Sequence, residues 1–198
     1  QLSSKSPLSK NKFSLLYSGV LYPNGRDPTP LFLAIQSLKQ GGVIADDNFE
    51  LIFQGAGDGK NYEELIESLE ITNMVKFTAS VPYLDSLACL KEANALVIIQ
   101  GQIFNYQVPA KLYEYIRSTK PLIVMTPNES ATALAALQHP LSKVANNRDD
   151  IAEVLLKCVN GSLKSPNEIE TKQFSRQQKA SEIALIFNRV TSEIQKRN

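Results

Sequence analysis

The sequence predicts an α/β protein with a doubly wound, mostly parallel sheet of about six strands. Short apolar runs alternate along the chain with helical segments of about ten residues, an alternation that is typical of βαβ units. The runs are apolar at consecutive positions, as expected of strands that helices cover on both faces. Together these observations predict a Rossmann-like domain over residues 13–163.

The composition of the chain excludes several classes of protein. With 198 residues, 43% of them hydrophobic and 21% charged, the chain is long enough to bury a core. Its 21 basic and 20 acidic residues give a net charge of +1, so we expect neither a nucleic-acid partner nor an anionic lipid surface. Two distant cysteines and one histidine argue against a disulfide framework and a metal site. No apolar run approaches the roughly 20 residues of a membrane span.

Apolar runs in the sequence predict where the strands lie. The first run, residues 13–19, follows a stretch rich in serine and lysine at residues 1–12, which we interpret as a linker or tail. The later strands are predicted at residues 49–53, 75–78, 95–99, 121–125 and 143–145.

Apolar residues at helical spacing, together with prolines at helix starts, predict where the helices lie. The first helix, residues 30–38, has Pro30 in its first turn and apolar residues at helical spacing after it. The other helices are predicted from the glycine-rich turn to residue 69, from Pro82, from Pro109 to about residue 118, and over residues 131–137 and 148–159. Residues 164–198 are predicted to form amphipathic helices that pack on this domain or on an N-terminal domain outside the chain.

Ligands of doubly wound sheets bind beyond the carboxyl ends of the strands, near the point where the strand order reverses. Four loops meet this condition in the predicted fold: residues 19–28, 54–60, 79–83 and 100–109.

Two of these loops carry residues suited to an anion. The turn Gly55-Ala56-Gly57 follows a strand and precedes a helix, so its backbone could approach a phosphate or a sugar; an ordinary tight turn is the alternative. Arg26 could hold a diphosphate with its planar guanidinium, or it could be a solvated loop arginine.

Lys111 and Glu114 lie one turn apart on the helix that Pro109 begins. A lysine in the first turn is electrostatically unfavourable, which predicts an anion nearby. Glu114 could accept hydrogen bonds from the vicinal hydroxyls of a ribose. The alternative for both residues is a surface Lys–Glu pair.

The order of these motifs resembles the C-terminal, nucleotide-sugar-binding domain of a retaining glycosyltransferase of the GT-B architecture, family-four type. The likeness extends over residues 13–190, and no single motif carries it. The matching segments are residues 17–19 with Arg26, 49–57, 75–78 with 81–82, 93–98, 109–115, 120–124 and 174–176.

The resemblance implies a role for each matching residue. Arg26 would contact the donor's diphosphate and Glu114 the ribose hydroxyls, at the place of the second glutamate of the family's EX7E pair. The other donor-binding residues would be Gly19, Gly55, Ala56 and Gly57 beside the nucleotide, Ser80, Val81 and Pro82 at the base, Asn105, Tyr106, Gln107, Val108 and Pro109 at the phosphate and donor sugar, and Leu112 in the helix motif.

The chain departs from the family pattern at two positions. Tyr106 stands where the first glutamate of the pair is expected. Residues 27–30 contain no lysine after Arg26, and Lys111 is a candidate for the missing charge. The resemblance implies that no metal or other cofactor is needed, because basic side chains and a helix dipole offset the charge of the leaving diphosphate.

The resulting hypothesis is the donor-binding half of a glycosyltransferase. It would move a sugar from a nucleoside-diphosphate sugar to an acceptor hydroxyl, in polysaccharide or glycolipid biosynthesis. Its partner would be an N-terminal domain of the same polypeptide. The expected location is the cytoplasm, or the periphery of a membrane through that other domain. Two alternatives stay open: a non-catalytic interaction module with a degenerate nucleotide site, and a nucleotide-sugar epimerase of the same architecture.

Overall fold

The computed structural model describes residues 6–22, 24–163, 171 and 174–195. The chain divides into two compact units, Gln1–Ser165 and Pro166–Asn198. The sheet and the predicted ligand loops all belong to the first unit.

One parallel sheet of six strands organises the first unit. In chain order the strands are β1 (Phe13–Ser18), β2 (Phe49–Gln54), β3 (Val75–Thr78), β4 (Ala95–Ile99), β5 (Leu122–Met125) and β6 (Ser142–Val144). Their order across the sheet is β3-β2-β1-β4-β5-β6, and every pair is parallel. The predicted fold class is therefore confirmed, and the strand order reverses between β1 and β4.

Helices connect the strands. They are α1 (Thr29–Gln40), α2 (Glu63–Ser68), α3 (Tyr83–Glu92), α4 (Ala110–Arg117), α5 (Ala131–Ala136) and α6 (Arg148–Val159). Most predicted bounds differ from these by one or two residues. The larger difference is at α2, because a single 3-10 turn, Lys60–Tyr62, separates the glycine-rich loop from the helix.

The core on one side of the sheet combines α1, α2 and α6 with alternate strand residues such as Leu15 and Val97. Aromatic rings fill its upper part: Phe53 stacks on Phe77 with centroids 4.8 Å apart, and Phe77 stacks on Tyr62 at 6.3 Å. These rings lie beneath the glycine-rich loop and support it.

A buried carboxylate ties the start of the chain to the sheet. Glu50 is fully buried in β2 and accepts hydrogen bonds from the Ser9 backbone N–H and the Ser14 hydroxyl, both at 2.6 Å, and from Lys76 Nζ at 2.8 Å. These bonds hold the pKa of Glu50 below its usual value although burial alone would raise it. Part of the stretch predicted as a linker thus contacts the domain.

The described residues of the second unit form one helix, α7 (Arg176–Gln195). Several of its large apolar side chains are exposed, among them Leu185 and Phe187. In the predicted C-terminal helical region, residues 164–170, 172–173 and 196–198 lie outside the described residues. Within the described chain, no helix is long and apolar enough to cross a membrane.

Candidate functional site

Two ligand loops meet at the point where the strand order reverses. Because β1 and β4 are neighbours, loop 19–28 and loop 100–109 leave the sheet side by side. The Gly101 N–H donates to the carbonyl oxygen of Gly25. A Cβ atom at Gly101 would lie 2.9 Å from that oxygen, so this approach requires glycine.

The other two predicted loops form a second pair. The Gly55 N–H donates to the Thr78 carbonyl oxygen at 2.9 Å, and a Cβ at Gly55 would lie 3.3 Å from Ser80 Cβ. The predicted residues of these loops differ in exposure: Ala56 is buried, Val81 is half-buried, and Gly57, Ser80 and Pro82 are exposed. The loops therefore bring the predicted nucleotide and base contacts together.

Arg26 is held between aromatic rings. Its Cζ lies 4.6 Å from the ring centroid of Tyr22 and 5.4 Å from that of Phe104, and its Nη1 donates to the Val20 carbonyl oxygen at 2.6 Å. Tyr17 donates to the same oxygen at 2.8 Å; burial raises its pKa to about 12, although Arg26 acts in the opposite direction. The guanidinium Nε is buried with no hydrogen-bond partner within the described chain, so Arg26 retains an unused donor.

Lys111 also lies beside the carboxyl end of β1. Its Nζ donates to the Ser18 carbonyl oxygen at 3.3 Å, lies 4.1 Å from the Tyr17 ring centroid, and faces Gly19. Burial and, to a smaller extent, the positive charge of Arg26 lower the pKa of Lys111 to about 7. The ammonium thus lies among a carbonyl dipole, a π face and a like charge.

Among the described residues, no carboxylate forms an ion pair with Arg26 or Lys111. Lys111 and Glu114 therefore do not form the surface pair considered as an alternative. The anion predicted from the helix position of Lys111 is therefore not a carboxylate paired with it among the described residues.

The Tyr115 hydroxyl forms hydrogen bonds with the backbone of Ser18, the last residue of β1. The Ser18 N–H donates to the Tyr115 hydroxyl oxygen at 2.9 Å, and that hydroxyl donates to the Ser18 carbonyl oxygen at 3.3 Å. Tyr115 is buried, and burial raises the pKa of its phenol, so it stays neutral. Helix α4 is therefore anchored to the strand end that carries loop 19–28.

Gln100 organises the fourth loop. Its buried Nε2 donates to the Gln107 carbonyl oxygen at 3.0 Å and to the Thr132 hydroxyl at 3.1 Å. Thr132 donates to the same carbonyl oxygen at 2.7 Å, and the Asn105 carbonyl oxygen accepts from the Ala131 N–H at 2.8 Å. These bonds tie loop 100–109 to the start of α5.

The predicted residues of that loop occupy different environments. Tyr106 is 99% exposed, and Val108 and Pro109 are half-buried. The Asn105 Oδ1 is buried and, among the residues described, has no partner. Leu112 is fully buried in the core, so only its backbone could reach a ligand.

Glu114 faces helix α3. Its Oε1 accepts a hydrogen bond from the Tyr83 hydroxyl at 3.1 Å. Both side chains line a groove of about 180 Å³ between α3 and α4. Glu114 and Lys111, one turn apart on α4, therefore have different neighbours: Glu114 contacts α3, and Lys111 contacts the end of β1.

Four further side chains were not predicted as site residues: Tyr17, Tyr83, Gln100 and Tyr115. Tyr17 lies in the apolar run predicted as the first strand, and Tyr115 lies in the helix predicted from Pro109. Their hydroxyl groups could have indicated a role at the site, because the hydroxyl of a buried tyrosine needs a hydrogen-bond partner, and a loop or a strand end supplies one. Gln100, a polar residue directly after an apolar strand, gave a similar signal.

An open cleft of about 560 Å³ adjoins Arg26 and is lined by Tyr22, Asn24, Arg26, Phe104 and Gln107. A parallel sheet whose strand order reverses beside two cations defines an α/β domain suited to phosphate-bearing ligands. The chain belongs to the family "Glycosyl transferases group 1", whose pattern matches residues 1–176.

Solved structures with the same fold include glycosyltransferases. The lipopolysaccharide outer core galactosyltransferase WaaB superposes with a TM-score of 0.67 at 16% identity, over 92% of this chain and 51% of that chain. WaaG, a glycosyltransferase involved in lipopolysaccharide biosynthesis, gives a TM-score of 0.63 at 17% identity, over 79% and 40%.

A putative UDP-N-acetylglucosamine 2-epimerase from Listeria monocytogenes gives a TM-score of 0.56 at 11% identity, over 80% of this chain and 40% of that chain. The chain thus spans about half or less of the length of these structures. No curated protein matches it. The family match confirms the expected glycosyltransferase family, and the solved structures confirm the expected fold.

Proposed function

We propose that the chain is the donor-binding domain of a glycosyltransferase that transfers a sugar from a nucleoside-diphosphate sugar to an acceptor hydroxyl. The observation that carries the proposal is the pair of cations, Arg26 and Lys111, at the reversal point of a sheet in a glycosyltransferase family. In this role the two side chains bind the donor's diphosphate and stabilise the charge that grows on it as the glycosidic bond breaks.

The remaining predicted residues complete the donor site. Gly55, Ala56 and Gly57 approach the nucleotide, residues 80–82 meet the base, and Glu114 accepts hydrogen bonds from the ribose. Loop 100–109, held by Gln100, presents the donor sugar to the reaction. Lys111 takes the place of the lysine that the family has after the arginine, although it comes from α4 and not from loop 19–28.

The proposal extends to parts of the reaction outside this chain. The acceptor site lies on an N-terminal domain of the same polypeptide, in a cytoplasmic enzyme of polysaccharide or glycolipid assembly. The short coverage of the solved chains supports a second domain. The proposed reaction retains the anomeric configuration and needs no metal, so chelation of divalent cations is expected to leave donor binding unchanged.

An epimerase is the second enzyme class that the fold allows. Epimerisation needs acid–base groups near the sugar. The single histidine, His139, is buried between α5 and β6, where connections lie at the amino ends of the strands, opposite the ligand loops. Its position favours transfer over epimerisation.

The test is a calorimetric titration of the chain, and of any longer polypeptide that contains it, with UDP, GDP, ADP and TDP. One nucleotide is expected to bind saturably, and Arg26→Ala is expected to weaken that binding at least about tenfold, since a charge-assisted contact to phosphate is lost. Lys10→Ala is the matched control, because Lys10 is an exposed cation outside the ligand loops.

The outcomes separate the proposals. Equal binding by the Arg26→Ala variant and the wild type would remove Arg26 from the site. Failure of every nucleotide to bind the longer polypeptide would favour a non-catalytic module. Conversion of the donor sugar to its epimer, without transfer, would establish the epimerase.

A further inference from the structure

A hydrogen bond at the ligand edge joins two helices that are distant in sequence. Tyr83 is the first residue of α3 and directly follows the loop at the end of β3. Its hydroxyl donates to Glu114 Oε1 at 3.1 Å. The Tyr83 side chain is 58% exposed, and Glu114 is half-buried, so both groups remain accessible from solvent.

We propose that Tyr83 and Glu114 together bind the two vicinal hydroxyls of the donor's ribose, and that Tyr83 thereby selects ribonucleotides over deoxyribonucleotides. The inference rests on the proposed function, in which Glu114 contacts the ribose. It adds a specificity-determining residue from another helix, and it names the chemical group that this residue recognises.

The donor and acceptor inventory of the pair supports this assignment. The single phenolic proton of Tyr83 is directed at Glu114 Oε1, which leaves the lone pairs of the phenol oxygen free to accept. Glu114 still offers Oε2 as an acceptor. Two acceptors on adjacent side chains match the two O–H donors of a cis-diol, and a 2′- or 3′-deoxyribose would leave one of them unpaired.

The surroundings of the pair keep its geometry fixed. Tyr83 lies where Pro82 begins α3, and Glu114 lies one turn after Lys111 on α4, whose end Tyr115 holds against β1. Lys111 of the cation pair and Glu114 of the diol-binding pair therefore lie one turn apart on the same helix, and one nucleotide can contact both.

The experiment compares dissociation constants for the nucleoside diphosphate that binds the wild type and for its 2′-deoxy and 3′-deoxy analogues. We expect the wild type to prefer the ribonucleotide over at least one analogue by about tenfold. Tyr83→Phe keeps the ring and removes only the hydroxyl. It is expected to weaken ribonucleotide binding about three- to tenfold and to bind that analogue as the wild type does, so that the preference largely disappears.

Tyr113→Phe is the matched control, because it removes a phenol from the residue before Glu114 on α4 and leaves both members of the pair unchanged. It is expected to keep the wild-type preference. Thermal unfolding of all variants shows whether each is folded, and Tyr83 at 58% exposure is a position where loss of a hydroxyl leaves the core intact.

Two results would overturn the inference while leaving the proposed function in place: a Tyr83→Phe variant with the wild-type preference, or one that loses affinity equally for the ribonucleotide and both analogues. Glu114→Ala tests the proposed function separately. If that variant bound the ribonucleotide like the wild type, the assignment of Glu114 would fail and the role of Tyr83 with it.

Discussion

Lys111 carries the strongest electrostatic conflict among the residues of the site. Its ammonium lies in the first turn of α4, close to the positive end of the helix dipole, and it shares the site with Arg26. Burial and this like charge lower its pKa to about 7. A bound diphosphate would reverse both effects, so protonation of Lys111 and binding of an anion are coupled.

This coupling predicts the pH dependence of nucleotide binding. Below pH 7, Lys111 is already protonated in the free protein, and binding takes up no proton at this residue. Above pH 7, each bound diphosphate must also bring a proton to Lys111, whose pKa rises in the complex. Affinity is therefore expected to fall between pH 7.5 and 9, by up to about tenfold per pH unit. Calorimetry in two buffers of different ionisation enthalpy measures the proton uptake.

Lys111→Arg is the control for this prediction, because arginine stays charged across the whole range. Its binding should show no proton uptake between pH 7.5 and 9. A wild-type affinity that is constant over this range would contradict the coupling and would remove Lys111 from the diphosphate site.

At the scale of elements, the contacts between loops and strands decide the shape of the site. Gly59 has a φ of +78°, and a Cβ there would lie 2.4 Å from the Phe77 ring, which is stacked between Phe53 and Tyr62. The glycine-rich loop therefore lies directly on the aromatic part of the core.

Gly59→Ala is expected to destabilise the protein by about 2–4 kcal/mol, because backbone strain adds to displacement of the Phe77 ring. Gly42→Ala is the control: its φ is +68°, but nothing lies within 4 Å of the added Cβ. That variant should lose only the strain, about 1–2 kcal/mol. Urea-induced unfolding measures both, and equal losses would show that the ring contact does not constrain the loop.

Gly101→Ala tests the contact between the first and fourth loops. Its φ of −78° is ordinary, so the effect comes from the added Cβ, which would lie 2.9 Å from the Gly25 carbonyl oxygen. We expect nucleotide affinity to fall on the order of tenfold or more, since the loop that carries Arg26 must move, with a stability loss of about 1–3 kcal/mol.

Gly41→Ala is the corresponding control, with a φ of −75° and a nearest contact of 3.4 Å at the end of α1. Its nucleotide affinity should equal that of the wild type. An unchanged affinity in Gly101→Ala would show that the loops reach their binding positions independently.

The sequence predicted the elements well and their contacts poorly, for a physical reason. An apolar run such as β4 has one stable environment, a sheet covered on both faces, so the run itself indicates the strand. Strand order depends on pairing between residues that are distant in the sequence. The contact between loops 19–28 and 100–109 depends on that order, because it requires β1 and β4 to be neighbours. The bond between Tyr83 and Glu114 depends on how α3 packs beside α4, which neither helix's own periodicity determines.

Lys111 shows the same difference between what the sequence predicts and what only the fold determines. Its position in a first turn predicted an electrostatic conflict and an anion, and the structure shows the conflict. Its contacts with the Ser18 carbonyl oxygen and the Tyr17 ring require the fold, because they join residues more than 90 positions apart.

At the scale of the whole molecule, the first unit contains a complete sheet with its own core. A variant that ends at residue 165 is therefore expected to unfold cooperatively in urea. It should also be more soluble, because α7 exposes large apolar residues such as Leu185 and Phe187. Circular dichroism measures the transition, and a loss of cooperativity would show that the second unit is needed for the sheet to fold.

The central position of β1 has a consequence for how the protein is made. β1 is the first strand of this sheet to be synthesised, and it pairs on one edge with β2 but on its other edge with β4, which ends only at Ile99. Until β4 has been synthesised, the growing chain exposes an apolar strand edge able to pair with other chains. The time taken to translate residues 55–99 therefore sets how long this edge of β1 waits for its partner strand.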